Sequence, residues 1–136
     1  MTALYTFTQV SRPDPPQIEN LDLIRGDAYD DVANPKLSWT ILGETIDPTE
    51  TVQAVLCVRE QNDTDLTQGT ELLLIDNSSE GDTLGFELTS SDTNLMFTNG
   101  RTSIFNYDVQ VDFDGTGAYE TLVRGTITVT LAETRR

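Results

Sequence analysis

Apolar side chains occupy every second position on both sides of a short turn near the C-terminal end of the chain. Residues 106–113 follow this pattern, and residues 121–130 repeat it after Asp114-Gly115. Successive side chains of a strand point to opposite faces of a sheet, so the pattern is typical of strands with one buried face. Asp-Gly is a preferred turn pair for an antiparallel hairpin. The sequence therefore predicts a closing β-hairpin and favours an antiparallel β architecture.

The rest of the chain shows the same strand-like pattern in shorter stretches. These stretches are residues 21–23, 37–41, 52–58, 72–75 and 84–88. Turn-forming residues separate them at roughly ten-residue intervals, which is typical of a sandwich or a small barrel. Residues 52–58 are largely apolar on both faces, which indicates a central strand. One short helical turn is predicted at Ser90–Leu95, with Ser90 or Ser91 as its cap.

The charge balance excludes two classes of partner. The 136 residues include 23 Asp and Glu but only 8 Lys and Arg, which gives a net charge of −15. Nucleic acids and anionic membranes are bound by positive surfaces, so neither is expected as a partner. No stretch is long and apolar enough to span a bilayer, and none resembles a signal peptide. Solubility explains the spread-out acids best; docking onto a basic partner and cation binding are the alternatives.

The residues that most often carry catalysis are missing. The sequence has no histidine, so the commonest proton shuttle is absent and Cys57 has no imidazole to activate it. As the single cysteine in an apolar run, Cys57 is predicted to be a small buried side chain. The sequence has neither a nucleophile elbow nor a phosphate-binding glycine loop. We therefore expect no enzymatic activity, no catalytic residue and no cofactor.

Two acidic stretches are the candidates for a cation site. Residues 112–120 have the wrong spacing for an EF-hand, and a hairpin turn explains their glycine better. Asp27, Asp30 and Asp31 could surround a cation together with a backbone carbonyl, although solvated loop acids are the simpler interpretation. We therefore predict no metal site.

The N-terminal segment combines a strand-like stretch with a proline cluster. Residues 4–10 resemble a strand, and three prolines within residues 13–16 then favour an extended chain. Two interpretations stay open: the strand lies on its own domain, or it is an arm that adds to the sheet of a neighbouring subunit. In the second, the aromatic residues are anchors and the stiff linker lowers the cost of ordering. The candidate partner-binding residues are Tyr5, Phe7, Pro13, Pro15 and Pro16.

Four motifs, in this order, resemble a known family. They are Leu23-Ile24-Arg25-Gly26-Asp27, the strand of residues 52–59, residues 88–93, and the closing hairpin of residues 107–111 and 121–129. Over residues 21–131 the chain is similar to small phage tail and baseplate proteins related to the N-terminal domain of siphophage upper baseplate proteins. The resemblance implies an antiparallel immunoglobulin-like β-sandwich. We therefore expect an all-β chain with an extended N-terminal arm and linker at residues 1–20 and a β-sandwich domain at residues 21–136.

The resemblance also implies a structural function without catalysis. We expect a bacteriophage virion protein, made in the host cytoplasm, that binds other virion proteins and copies of itself in a trimer or ring. Its expected place is the tail or baseplate, as an adaptor for fibres. A capsid decoration protein is the first alternative, because no fibre domain follows Arg136. A carbohydrate-binding module is the second; it needs an exposed Trp39 or Tyr29 to stack on a sugar, whereas the strand pattern favours a core position for Trp39.

Overall fold

The computed structural model describes residues 7–11, 17–42, 46–47, 49–50, 52–60, 71–96, 102–113 and 115–131, with the backbone alone for residues 7–11 and 42. The described residues form strands and one short helix. In chain order these are β1 (Phe7–Ser11), β2 (Gln17–Ile18), β3 (Leu21–Ile24), β4 (Leu37–Leu42), β5 (Gln53–Glu60), β6 (Glu71–Asp76), β7 (Thr83–Phe86), α1 (Ser90–Leu95), β8 (Thr102–Asp112) and β9 (Glu120–Thr130).

The strands form two sheets that enclose one apolar core. The small sheet has the order β1-β4-β7, and the large sheet has the order β2-β9-β8-β5-β6, with β3 also paired to β9. Both sheets contribute fully buried side chains to the core, among them Leu37, Trp39, Ile41, Leu84 and Phe86 from the small sheet and Leu56, Val58, Tyr107, Val109 and Ile127 from the large one. The predicted all-β sandwich is confirmed, and so is the central position of β5.

The closing hairpin is the longest pairing in the fold. β8 and β9 pair antiparallel from Thr102↔Thr130 to Val111↔Glu120, with one bulge between Val109 and Gln110. The turn that joins them contains Gly115, whose φ of 72° is the left-handed conformation that glycine adopts without steric cost. The hairpin prediction is confirmed, and β8 begins at Thr102, earlier than the apolar alternation indicated.

Three N-terminal strands pair in parallel, which corrects the expectation of purely antiparallel sheets. β1 lies parallel to β4, while β2 and β3 both lie parallel to β9. The sheets are therefore mixed. The physical reason is the direction of the chain: β1 runs in the same sense as β4, and β2 and β3 run in the same sense as β9, whereas the later strands pair with reversed direction. β2 itself was not predicted, because two residues carry no readable alternation.

The two sheets are joined at Glu19, between β2 and β3. Its backbone N–H donates to the carbonyl oxygen of Arg124 on β9 at 3.0 Å. Its own carbonyl oxygen accepts a hydrogen bond from the Tyr107 hydroxyl at 2.7 Å, and its carboxylate accepts one from Trp39 Nε1 at 3.2 Å. The Trp39 ring stacks on Tyr107 with 6.3 Å between centroids. One residue thus satisfies the polar ends of two buried aromatic side chains from different sheets.

The predicted helical turn is confirmed at Ser90–Leu95, but its cap is Thr89. The Thr89 hydroxyl accepts from the backbone N–H of Asp92 at 3.1 Å, and the Asp92 carboxylate accepts from the N–H of Thr89 at 2.9 Å. This is a capping box, which a serine at position 90 or 91 cannot make because those residues are already helical. On the buried side, Thr93 accepts from the N–H of Gly26 and so attaches the helix to the turn after β3.

Gly125 is expected to be essential for the Glu19 junction. A Cβ at this position would overlap the backbone carbonyl of Glu19, which has no flexible side-chain atom to give way. We expect Gly125→Ala to lower the free energy of unfolding by about 1–3 kcal/mol, the usual range for overpacking. Urea unfolding followed by tryptophan fluorescence measures it, since Trp39 reports on the same junction. Thr128→Ala on the same strand is the control; an equal loss in both variants would contradict the packing argument.

Candidate assembly surfaces

The N-terminal strand lies on its own domain in this structure. β1 pairs with β4 from Phe7↔Ser38 to Ser11↔Leu42. Tyr5, Pro13, Pro15 and Pro16 lie outside the described residues. The backbone of Phe7 is therefore placed at the start of β1, and contact of the five candidate residues with a neighbouring subunit stays a prediction.

Neither aromatic side chain proposed for sugar stacking is accessible. Trp39 is 1% exposed and Tyr29 is 2% exposed. Tyr29 is tied further into the fold because its hydroxyl accepts from the N–H of Ile24 and its backbone bridges to Leu88. The core position predicted for Trp39 is confirmed, and the carbohydrate-binding alternative loses the two ring faces on which it depended.

The large sheet has a second face that points away from the core, here called the outer face. One row of paired residues crosses it from edge to edge: Leu74 of β6, Cys57 of β5, Asp108 of β8, Arg124 of β9 and Ile18 of β2. The two ends of the row are apolar and exposed, with 55% exposure for Leu74 and 58% for Ile18. In the middle of the row, Cys57 and Asp108 are buried and Arg124 is half-buried.

Asp108 forms the charged centre of this row. Arg59 Nη1 donates to Asp108 Oδ2 at 2.9 Å, and Gln110 Nε2 donates to Asp108 Oδ1 at 3.4 Å. Burial raises the pKa of Asp108 above its ordinary value of 3.8, although the nearby Arg59, Gln110 and Arg124 act in the opposite direction. The ion pair has the geometry of a strong contact, yet it repays only part of the cost of removing the carboxylate from water.

Two neighbours of Asp108 on the outer face are also buried. Asn106 is 1% exposed, and its amide Nδ2 and Oδ1 have no hydrogen-bond partner among the described residues. Cys57 is 2% exposed, which confirms its predicted burial, and loss of solvation raises its pKa to about 11. A thiol with so high a pKa is unreactive at neutral pH. Alternation gave no signal for the burial of Asn106, since polar residues on alternate positions of a strand predict a solvated face.

Exposed apolar side chains concentrate on the outer face. Ile18, Leu74 and Ile104 lie there, and the exposed Tyr119 lies just before β9, whereas Val32 and Leu95 are exposed elsewhere. Tyr119 also lines a groove of about 330 Å³ together with Gln53, Val55, Asp76 and Asn77. Scattered single apolar residues need no explanation, but several on one rigid face are typical of a contact surface.

The acidic loops are occupied by the chain's own donors. Asp112 accepts hydrogen bonds from the backbone N–H groups of Gly115, Thr116 and Gly117, at 2.9, 3.2 and 2.8 Å. Asp30 accepts from the N–H groups of residues 32 and 33, which lower its pKa. Within the described part of the chain, no three acidic or cysteine side chains are arranged to hold a metal. The described residues also contain no helix of the length and apolar character needed to cross a bilayer.

The pH dependence of stability is expected to report on Asp108. Because burial raises its folded-state pKa, the protonated form favours folding; this contribution is present below the unfolded pKa and is lost as pH rises through the folded pKa. Asp108→Asn removes the titrating group and keeps an oxygen that can accept from Arg59. The stability of this variant minus that of the wild type should therefore rise as the pH increases above the ordinary carboxylate pKa of 3.8. Urea unfolding at several pH values measures the difference.

Asp22→Asn, at an exposed position of β3, is the matched control for the change in net charge. Subtraction of the wild type cancels the other carboxylates, which titrate in both proteins. A difference between Asp108→Asn and wild type that falls with rising pH would contradict the assigned direction.

Comparison with known proteins finds a similarity to solved structures but no match to a family model or a curated sequence. No family model matches the chain, and no curated protein sequence matches it. Among solved structures, the N-terminal domain of phage TP901-1 ORF48 is similar, with 15% sequence identity and a TM-score of 0.44 over 98% of this chain and 100% of that one.

Proposed function

We propose that this chain is a non-enzymatic structural protein of a bacteriophage virion, an adaptor of the tail or baseplate that works through protein–protein contacts. The observation that carries the proposal is the outer face, where exposed Ile18, Leu74 and Ile104 stand on one continuous, hydrogen-bonded sheet. A rigid face with apolar contacts loses little entropy when a neighbour docks, so it suits a protein that is built into an assembly.

The chemistry of the chain supports the same conclusion. The sequence has no histidine, and the thiol of its single cysteine is buried with a raised pKa. The buried Asp108 carboxylate of the outer face is held in an ion pair with Arg59 of the neighbouring strand. The motifs that resemble phage tail and baseplate proteins span residues 21–131 and supply the expectation of a virion.

The N-terminal arm adds a second means of assembly to the proposal. β1 forms only an edge of the small sheet and is joined to the body through the proline-containing residues 12–16. A strand in this position can pair with β4 of its own chain or with β4 of a neighbouring copy, using the same backbone hydrogen bonds. We propose that exchange of β1 between copies links them in a ring or trimer.

The position of the protein in the virion is tested on purified phage particles. A cryo-electron microscopy reconstruction of the virion, with antibody labelling against this chain, is expected to place it at the tail tip or baseplate. Density on the capsid surface would contradict the tail placement and favour the decoration alternative. Absence of the chain from purified particles would contradict the virion role altogether.

The arm is tested with a double variant in which both aromatic anchors are replaced, Tyr5→Ser and Phe7→Ser. If the arm engages a neighbour, we expect association between copies to weaken at least about tenfold, as for buried aromatic anchors, with little change in monomer stability. Sedimentation velocity over a concentration series measures the association, and urea unfolding measures the stability. Val32→Ser, at an exposed loop position, is the control. A loss of monomer stability with unchanged association would contradict strand exchange.

A further inference from the structure

β6 ends the large sheet, and its outward edge is bare in the described part of the chain. β6 pairs with β5 on one side, from Val55↔Asp76 to Arg59↔Glu71, and no described strand pairs with it on the other. Each residue on such an edge presents backbone groups that can pair with another strand. At six residues, β6 is longer than the other terminal strands of this sheet, β2 and β3.

The edge of β7, at one end of the small sheet, is covered by the chain itself, in contrast to the edge of β6. On β7, the backbone N–H of Gly85 donates to the side-chain oxygen of Asn77 at 2.7 Å, and its carbonyl oxygen accepts from the N–H of Ser78 at 2.8 Å. A Cβ on Gly85 would overlap the Ser79 hydroxyl, so this cover fits tightly. The fold therefore covers the edge of β7 with its own chain, whereas no described strand pairs with the outward edge of β6.

The residues of β6 give little protection against strand addition. The strand reads Glu-Leu-Leu-Leu-Ile-Asp, without proline or lysine. Leu73 is buried in the core, while Leu74 is 55% exposed on the outer face beside the edge. An added strand would cover Leu74 and satisfy the bare backbone groups together, which is how extended segments gain affinity at sheet edges.

Charge decides which kind of strand fits. Glu71 and Asp76 stand at the two ends of β6, and the exposed Glu60 ends the neighbouring strand. Arg59, the basic residue paired with Glu71 in the ladder, is engaged with Asp108. Each copy of the chain carries a net charge of −15, so pairing of β6 with β6 of a second copy brings like charges together. A segment with Lys or Arg at both ends meets opposite charge instead.

We propose that the edge of β6 is a docking site for an extended segment of a different protein, apolar in its centre and basic at its ends, which adds to the large sheet as a further strand. Its central side chain covers Leu74, and its basic ends face Glu71 and Asp76. One basic end reaches the groove beside Asp76 and Tyr119. The inference rests on the proposed function for the setting in which such a partner is met.

The test uses the full-length chain and two synthetic peptides. Both alternate valine and threonine; one carries a lysine at each end and the other a glutamate. Fluorescence anisotropy of labelled peptide measures binding, and amide chemical shifts of residues 71–76 locate it. We expect binding of the lysine peptide only, weakened about tenfold or more by Leu74→Lys, since the variant loses an apolar contact and adds a like charge. Leu95→Lys adds the same charge at a similarly exposed position away from the outer face and should leave binding unchanged.

Three outcomes overturn the proposal. If the lysine peptide does not bind, the edge of β6 is not a docking site. If both peptides bind equally, charge does not select the partner. If the chain alone forms a dimer that Leu74→Lys dissociates and Leu95→Lys does not, the occupant of the edge is a second copy. The measurements need no particles, so their failure is distinguishable from a failure to find the chain in the virion.

Discussion

The two-layer body depends on the passage of Glu19 over Gly125. Trp39 and Tyr107 are almost completely buried, and each carries a polar group that would cost free energy if it were left without a partner. Glu19 supplies both partners from one residue, with its carboxylate for the indole and its carbonyl for the phenol. The chain can come so close only because position 125 lacks a side chain. The stacked rings then hold the small sheet against the large one, so the register of the core follows from one crossing of the backbone.

The outer face carries the second constraint. Arg59 on β5 and Asp108 on β8 lie on neighbouring strands, and their ion pair is largely removed from water. Such a pair adds little net stability because desolvation offsets its attraction. It does fix the register, since a slip of one residue would turn Asp108 into the apolar core. The exposed apolar side chains of this face, Leu74 and Ile104 among them, are therefore held at defined spacings, as a docking surface requires.

The sequence was sufficient for the architecture but not for the details that depend on distant partners. Alternation located β4, β5, β8 and β9, because a strand with one buried face records its environment in its own residues. It missed β2, whose two residues are strand-like only because β9 lies beside them, and it could not reveal that the N-terminal strands run parallel. The same limit applied to the candidate surfaces. Leu74 is apolar in an apolar run, and only the order of strands shows that it lies at an edge instead of the centre of a sheet.

The difference between the covered edge of β7 and the edge of β6 connects the fold to assembly. An apolar edge strand without proline or lysine is a hazard in a free protein, because any extended chain can pair with it. Residues 77–79 cover the edge of β7, whereas no described strand pairs with the outward edge of β6. The acids at both ends of β6 oppose pairing between copies, so they limit self-association while leaving the backbone available. An edge that is protected by charge alone is selective, because a basic strand turns the protecting charge into an attraction.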